Sequence, residues 1–181
     1  MKKSFLLIGL FLGFINSSSA QLIVSKMLGK DAKNYGIGVG IFAFSEIPIA
    51  SGNKSIVIEF LEFSYFPEKG KGGFFAAPSG KGHISFKAGY KNYFSEDGTG
   101  FYLQPSVGGA IVSLSKEDEA DAEAAFGVTG ALEGGYSLAV GRAFGQKINL
   151  GLKYEYSYAK ETHQIQTLGL RLSYSFKLFG W

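Results

Sequence analysis

Strict alternation near the C-terminus constrains this chain more than any other feature. Over residues 148–158 the even positions are Ile148, Leu150, Leu152, Tyr154, Tyr156 and Tyr158, and the odd ones are Asn149, Gly151, Lys153, Glu155 and Ser157. Over 167–176 the even positions are Leu168, Leu170, Leu172, Tyr174 and Phe176, against Thr167, Gly169, Arg171, Ser173 and Ser175. Successive side chains of a strand point to opposite faces, whereas a helix repeats every 3.6 residues. Both segments are therefore strands with one apolar and one polar face.

The same period recurs upstream. Residues 83–94 set Ile84, Phe86, Ala88, Tyr90 and Phe94 against His83, Ser85, Lys87, Gly89, Lys91 and Tyr93. Residues 101–114 set Phe101, Leu103, Val107 and Ile111 against Gln104, Ser106, Gly108 and Ala110. Residues 35–44 set Tyr35, Ile37, Val39 and Ile41 against Gly36, Gly38 and Gly40. Residues 126–140 and 55–66 also read as strands, the latter with a change of register near Glu62. That makes seven, and because single-chain bacterial barrels have an even number, residues 22–28 are expected to supply an eighth.

Alternation alone would also suit a soluble ligand-binding barrel. Strand length separates the two: about eleven residues at about 3.3 Å each, tilted near 40°, span roughly 28 Å, close to the apolar band of about 25 Å on a membrane barrel. Strands of soluble proteins average about five or six residues. The polar face, rich in Gly, Ser, Thr, Lys, Glu and Arg, suits a narrow lumen and would make a poor soluble core. Aromatics such as Tyr90, Phe94, Phe101, Tyr156, Tyr158 and Tyr174 gather toward strand ends, as interfacial girdles do. A bilayer leaves no water for unpaired backbone groups, so the sheet has to close on itself. The expected fold is all-β: an antiparallel up-and-down transmembrane β-barrel of eight strands.

Residues 1–20 form a separate unit: Lys2 and Lys3, an apolar run over 5–15, then small residues ending Ser18-Ser19-Ala20 before Gln21. That is the pattern of a cleaved signal peptide. Eleven residues rising about 1.5 Å each cover roughly 16 Å, too little for a hydrocarbon core of about 30 Å. The expected division is 1–20 signal peptide and 21–181 barrel domain. Of the 18 basic residues in the 181-residue chain, Lys2 and Lys3 leave with that peptide, so the remainder nearly balances the 15 acidic ones and gives no argument for nucleic acid. Cysteine is absent, which excludes disulfides, thiol chemistry and an N-terminal lipidated cysteine.

Thr167, Gly169, Leu172 and Tyr174, followed by Phe176, resemble the C-terminal assembly signal of outer-membrane β-barrels, although the chain continues to Trp181. The whole of 21–181 resembles the small OmpA/OmpX/OmpW-like superfamily in length and rhythm. The Ala20-Gln21 junction, with residues 89–94 and 100–102, is similar to outer-membrane β-barrel domain proteins of Bacteroidota. The resemblance implies location in the outer membrane of a Gram-negative cell. Its implied partners are the barrel-insertion machinery during assembly, and outer-membrane lipid and lipopolysaccharide thereafter, for a monomeric protein. With both termini periplasmic, residues 159–164, 115–125 and 67–81 lie outside the cell, while 141–146 and 95–99 are periplasmic turns.

Lys87, Lys91, Glu133, Lys153, Glu155 and Arg171 all fall on the polar face. Eight strands enclose a space just wide enough for side chains to fill, and buried charges need partners. A structural charge network plugging the lumen is therefore expected, with Lys153 and Glu155 near Arg171 across the last hairpin. The alternative is a narrow channel for small polar solutes or ions.

His83 and Ser85 share a face, and a His can activate a Ser as nucleophile. Outer-membrane lipid A deacylases use such a pair, but the Asn that follows the Ser in their motif is Phe86 here. The plainer expectation is a lumen-packing histidine, with no catalytic, metal or cofactor site; a lipid-modifying hydrolase stands as a further alternative. Gly36, Gly38 and Gly40 lack the spacing of a dinucleotide loop. Glu117, Asp118, Glu119, Asp121 and Glu123 lack EF-hand spacing and read as a solvated loop. Lys69, Lys71 and Lys81 with Phe74 and Phe75 make a second loop able to contact headgroups. The chain is thus expected to be a non-enzymatic barrel with an envelope-structural or loop-presenting role.

Overall fold

In a computed structural model that describes residues 19–49, 53–70, 79–115, 123–140, 146–160 and 163–175, each strand pairs with both its neighbours. The strands are β1 (Ser19–Met27), β2 (Ile37–Ile49), β3 (Lys54–Pro67), β4 (Gly80–Tyr93), β5 (Gly100–Ser115), β6 (Glu123–Ala139), β7 (Lys147–Tyr158) and β8 (Gln164–Ser175). All pairs are antiparallel, and β8 returns to β1 to close the barrel. The expected eighth strand at 22–28 is therefore the seam. It pairs from Leu22↔Ile41 to Lys26↔Ile37 on one side and from Ser19↔Ser175 to Met27↔Thr167 on the other. Cleavage after Ala20 would leave Gln21 to Met27 as that strand.

The faces follow the alternation. On β7 and β8 the even residues Leu150, Leu152, Tyr154, Leu168, Leu170 and Leu172 are exposed on the outside, while Lys153, Glu155, Ser157, Thr167, Arg171 and Ser173 are buried inside. Phe176 of the expected assembly signal lies outside the described residues. β3 departs from strict alternation: Glu59 pairs with Phe44 and Lys87, whereas Glu62 pairs with Phe42 and Ser85, so an extra residue sits between them. This bulge shifts the phase by one. Ser55, Val57 and Glu59 face inward before it, and Glu62, Ser64 and Phe66 face inward after it.

Several boundaries move. β2 runs five residues beyond Phe44, to Ile49. β6 begins at Glu123, so residues 123–125, expected in the loop, belong to the sheet. Lys81, expected in a surface loop, lies in β4 and is 1% exposed, with its Nζ donating to the Gln164 carbonyl at 2.8 Å. Lys71, Phe74 and Phe75 of that loop lie outside the described residues, as do Glu117, Asp118, Glu119 and Asp121 of the acidic one.

Tyr35 is not on the outward face. It makes only an isolated bridge to Glu68 and packs against Met27, Phe66, Val112 and Ile165 inside the barrel mouth. Beyond the end of the regular ladder the pleat no longer dictates direction, and the ring turns toward apolar neighbours.

Gly38 and Gly40 face inward. Gly38 lies under the Phe66 ring, so close that a Cβ there would overlap it. Gly38 thereby makes room for the Phe66 ring in the lumen.

The turn at 94–99 is held by Asp97, whose Oδ1 accepts from Thr99 N at 3.0 Å, Thr99 Oγ1 at 2.7 Å and Ser95 Oγ at 2.8 Å. Gly98 adopts φ +67°, the left-handed region. These hydrogen bonds, led by that from the Thr99 hydroxyl, hold the Asp97 carboxyl below its usual 3.8. A carboxyl depressed on folding adds stability that is complete above its unfolded value and is lost as pH falls through the lower folded one. NMR titration of Asp97 is expected to give a midpoint below 3.8 that returns toward that value in Thr99→Ala. An unchanged midpoint would contradict the turn geometry.

Candidate functional site

The inner faces of β3, β4, β6, β7 and β8 converge on a charged centre. Lys87 on β4 lies 3.2 Å from Glu59, 3.1 Å from Glu62 and 2.9 Å from Glu155. Lys153 on β7 lies 2.5 Å from Glu62 and also pairs with Glu155. Arg171 on β8 reaches Glu59 at 2.8 Å, pairs with Glu133, and stacks over the Phe42 ring at 3.6 Å. The side chains of Lys87, Lys153, Glu59, Glu62 and Glu155 are at most 1% exposed. Removing such charges from water is costly unless each is paired, and here each ion faces at least one opposite charge.

Layers stack along the barrel axis. Toward the loop-bearing end, Met27, Phe66, Val112 and Ile165 form an apolar cluster, with Val112 opposite His83 and Phe66 opposite the buried Lys81. Toward the end carrying the termini, Ile23, Phe42, Phe44 and Val57 flank the charges. Below them Lys91 meets Glu46 at 3.4 Å and Asn149 at 3.4 Å, and Tyr93 donates to Glu46 at 2.8 Å. A void of about 10 Å³ lies between Phe42, Glu59, Lys91, Tyr102 and Arg171. It has room for no more than about one water molecule.

Lys87, Lys91, Glu133, Lys153, Glu155 and Arg171 all lie inside, with Lys153 diagonal to Arg171 across the last hairpin, and the ion pairs reach beyond that hairpin. Arg171 sits opposite Gly151 and reaches past it to Glu133 and Glu59, while Lys153 and Glu155 pair with each other and with β3 and β4. Glu59, Glu62 and Glu46 were missed by periodicity. Residues 59 and 62 fall on opposite faces of an unbroken strand, and only the bulge turns both inward. The doublet Phe60-Leu61, where one polar residue is due, is the sequence trace of that bulge.

His83 and Ser85 point inward, with exposures of 2% and 0%. His83 Nε2 contacts Ser157 Oγ at 2.9 Å and lies 3.8 Å from Glu155, while Ser85 Oγ accepts from Lys87 at 2.7 Å. Ser157 in turn donates to Thr129, and Thr129 to Glu155. A nucleophile needs its base within reach of its own hydroxyl and a substrate above it. Ser85 is bound to an ammonium, and both residues are walled off. Glu62, His83 and Glu155 bring potential metal-ligand atoms within 4.8 Å of one another. An entering cation would meet the Lys87 and Lys153 ammonium groups already seated on both carboxylates, so the group does not fit a metal.

No protein-family model matches the chain. No curated protein matches it in sequence. Solved structures do match in fold. Neisserial surface protein A is 14% identical with a TM-score of 0.62, covering 90% of this chain and 99% of that one. The Yersinia pestis outer membrane protein Ail, in a phospholipid nanodisc, is 15% identical with a TM-score of 0.52, covering 89% and 99%. The outer membrane enzyme PagL is 11% identical with a TM-score of 0.50, covering 86% and 98%. With a closed eight-stranded antiparallel ladder, a charged core and an apolar exterior, the chain has the fold of these small outer-membrane β-barrels.

Proposed function

We propose that this protein is a non-enzymatic outer-membrane barrel with a plugged lumen, contributing to envelope structure or presenting its loops to the exterior. The observation that carries the reading is the buried network of Lys87, Lys153 and Arg171 with Glu59, Glu62, Glu133 and Glu155, flanked by apolar clusters. The void beside it, of about 10 Å³, holds no more than about one water molecule, too little for a solute. The inward, enclosed positions of His83 and Ser85 support the non-enzymatic part, since a lipid acyl group has no approach to either.

In this reading residues 1–20 are removed on export, and Thr167, Gly169, Leu172, Tyr174 and Phe176 guide insertion by the assembly machinery. The monomeric barrel keeps its termini periplasmic, and the β1–β2, β3–β4, β5–β6 and β7–β8 connections face outward toward lipopolysaccharide. Planar-bilayer recordings of the purified barrel are expected to show no steady single-channel steps. Uniform, reproducible steps would overturn the plugged lumen, and acyl hydrolysis of lipid A or phospholipid that disappears in His83→Ala would overturn the non-enzymatic assignment.

A further inference from the structure

The lipid-facing wall carries an open groove of about 680 Å³ over β5 to β8, with Phe94, just after β4, at its edge. Phe94, Phe101 and Tyr136 form one side, and Leu150, Leu152 and Leu170 the other. Among the described residues no charged side chain lines it. Phe101 and Tyr136 meet edge to face, with centroids 4.9 Å apart and planes at 85°, so that side is preformed. The volume falls within the roughly 300–1,000 Å³ typical of pockets that hold a small molecule.

Its floor is Gly134. That residue stands between Leu103 and Leu152 in the register, both on the outer face, where its neighbours Leu132 and Tyr136 project large side chains. A Cβ added there would meet nothing closer than 3.9 Å, so the space is free. Glycine inside a strand weakens it and marks places where something approaches the backbone closely. Beside it Gly135 and Gly151 face each other, and behind them stands Tyr102, whose hydroxyl is 2.5 Å from Glu133. The wall here is bare backbone.

We propose that this groove seats one acyl chain of a glycerophospholipid from the leaflet nearest the termini. The groove opens within the apolar band that the bilayer covers, so hydrocarbon is the medium that meets it. An unfilled hollow there would forfeit the dispersion contacts of its lining. Phe94 and Phe101 flank the β4–β5 turn, which places the groove in the half of the barrel that carries the termini. With the termini periplasmic, as proposed above, that leaflet is the glycerophospholipid one.

Native mass spectrometry of the full barrel, extracted from outer membranes into mild detergent, tests this. The parent is expected to retain one phospholipid mass. Gly134→Leu, which fills the floor, is expected to lower retention several-fold, while Gly130→Leu, on the same outer face but away from the groove, leaves it unchanged. Phe101→Ala, which removes a side, is expected to lower it too and serves if Gly134→Leu fails to show heat-modifiable mobility. No retained lipid in the parent, equal retention in both leucine variants, or a groove-dependent dimer instead of an adduct would each overturn the proposal. A retained lipid A mass would overturn the assigned leaflet.

Discussion

Lys87→Met is expected to destabilise the barrel by about 3–5 kcal/mol, the range for leaving buried charges without their partner. Lys87 contacts Glu59, Glu62 and Glu155 together. Those three, with Glu133, already outnumber Lys87, Lys153 and Arg171, so removing a cation leaves more uncompensated negative charge than removing a carboxylate would. Methionine nearly fills the space and isolates the electrostatic loss from a cavity. Adding Glu62→Leu to Lys87→Met is expected to recover most of the stability, because a missing pair costs far less than a broken one. Equilibrium urea unfolding in phospholipid vesicles, read by heat-modifiable gel mobility, measures both variants. A single-variant loss below about 1 kcal/mol would show that the network is hydrated and not a dry plug.

The second large effect concerns the outer face. Leu170 lies near the middle of β8, paired with Leu152 and exposed on the outside. A lysine at the bilayer midplane of a barrel costs about 2–4 kcal/mol, falling to about 0–1 near the interfaces. Leu170→Lys is therefore expected to be costly, and Tyr158→Lys, at the end of β7, nearly neutral. In a soluble barrel both positions would face water and neither substitution would cost much. Equal costs at the two depths, measured by the same unfolding assay, would contradict the membrane placement.

Much of the fold was legible because the relevant signal is local. Ile148 to Tyr158 and Thr167 to Ser175 carry a two-residue period with hardly an exception, and their inward and outward sets are those of the structure. The N-terminal strands were harder to read because their inner face is not polar: Ile23, Phe42, Phe44 and Val57 lie inside the barrel, where apolar character gives no contrast with the lipid side. Tyr35 was misplaced for a related reason, since alternation says nothing once the ladder has ended.

By itself the sequence determined the strands, their two faces and the need for closure, because each depends on neighbouring residues and on the impossibility of leaving backbone groups unpaired in lipid. Only the tertiary structure decided which charges meet. The bulge at Phe60-Leu61 turns both Glu59 and Glu62 inward, and closure carries Arg171 past its own hairpin to Glu133 and Glu59. Such partners lie on strands far apart in the chain, and their meeting depends on register and barrel curvature, which no short stretch of residues encodes.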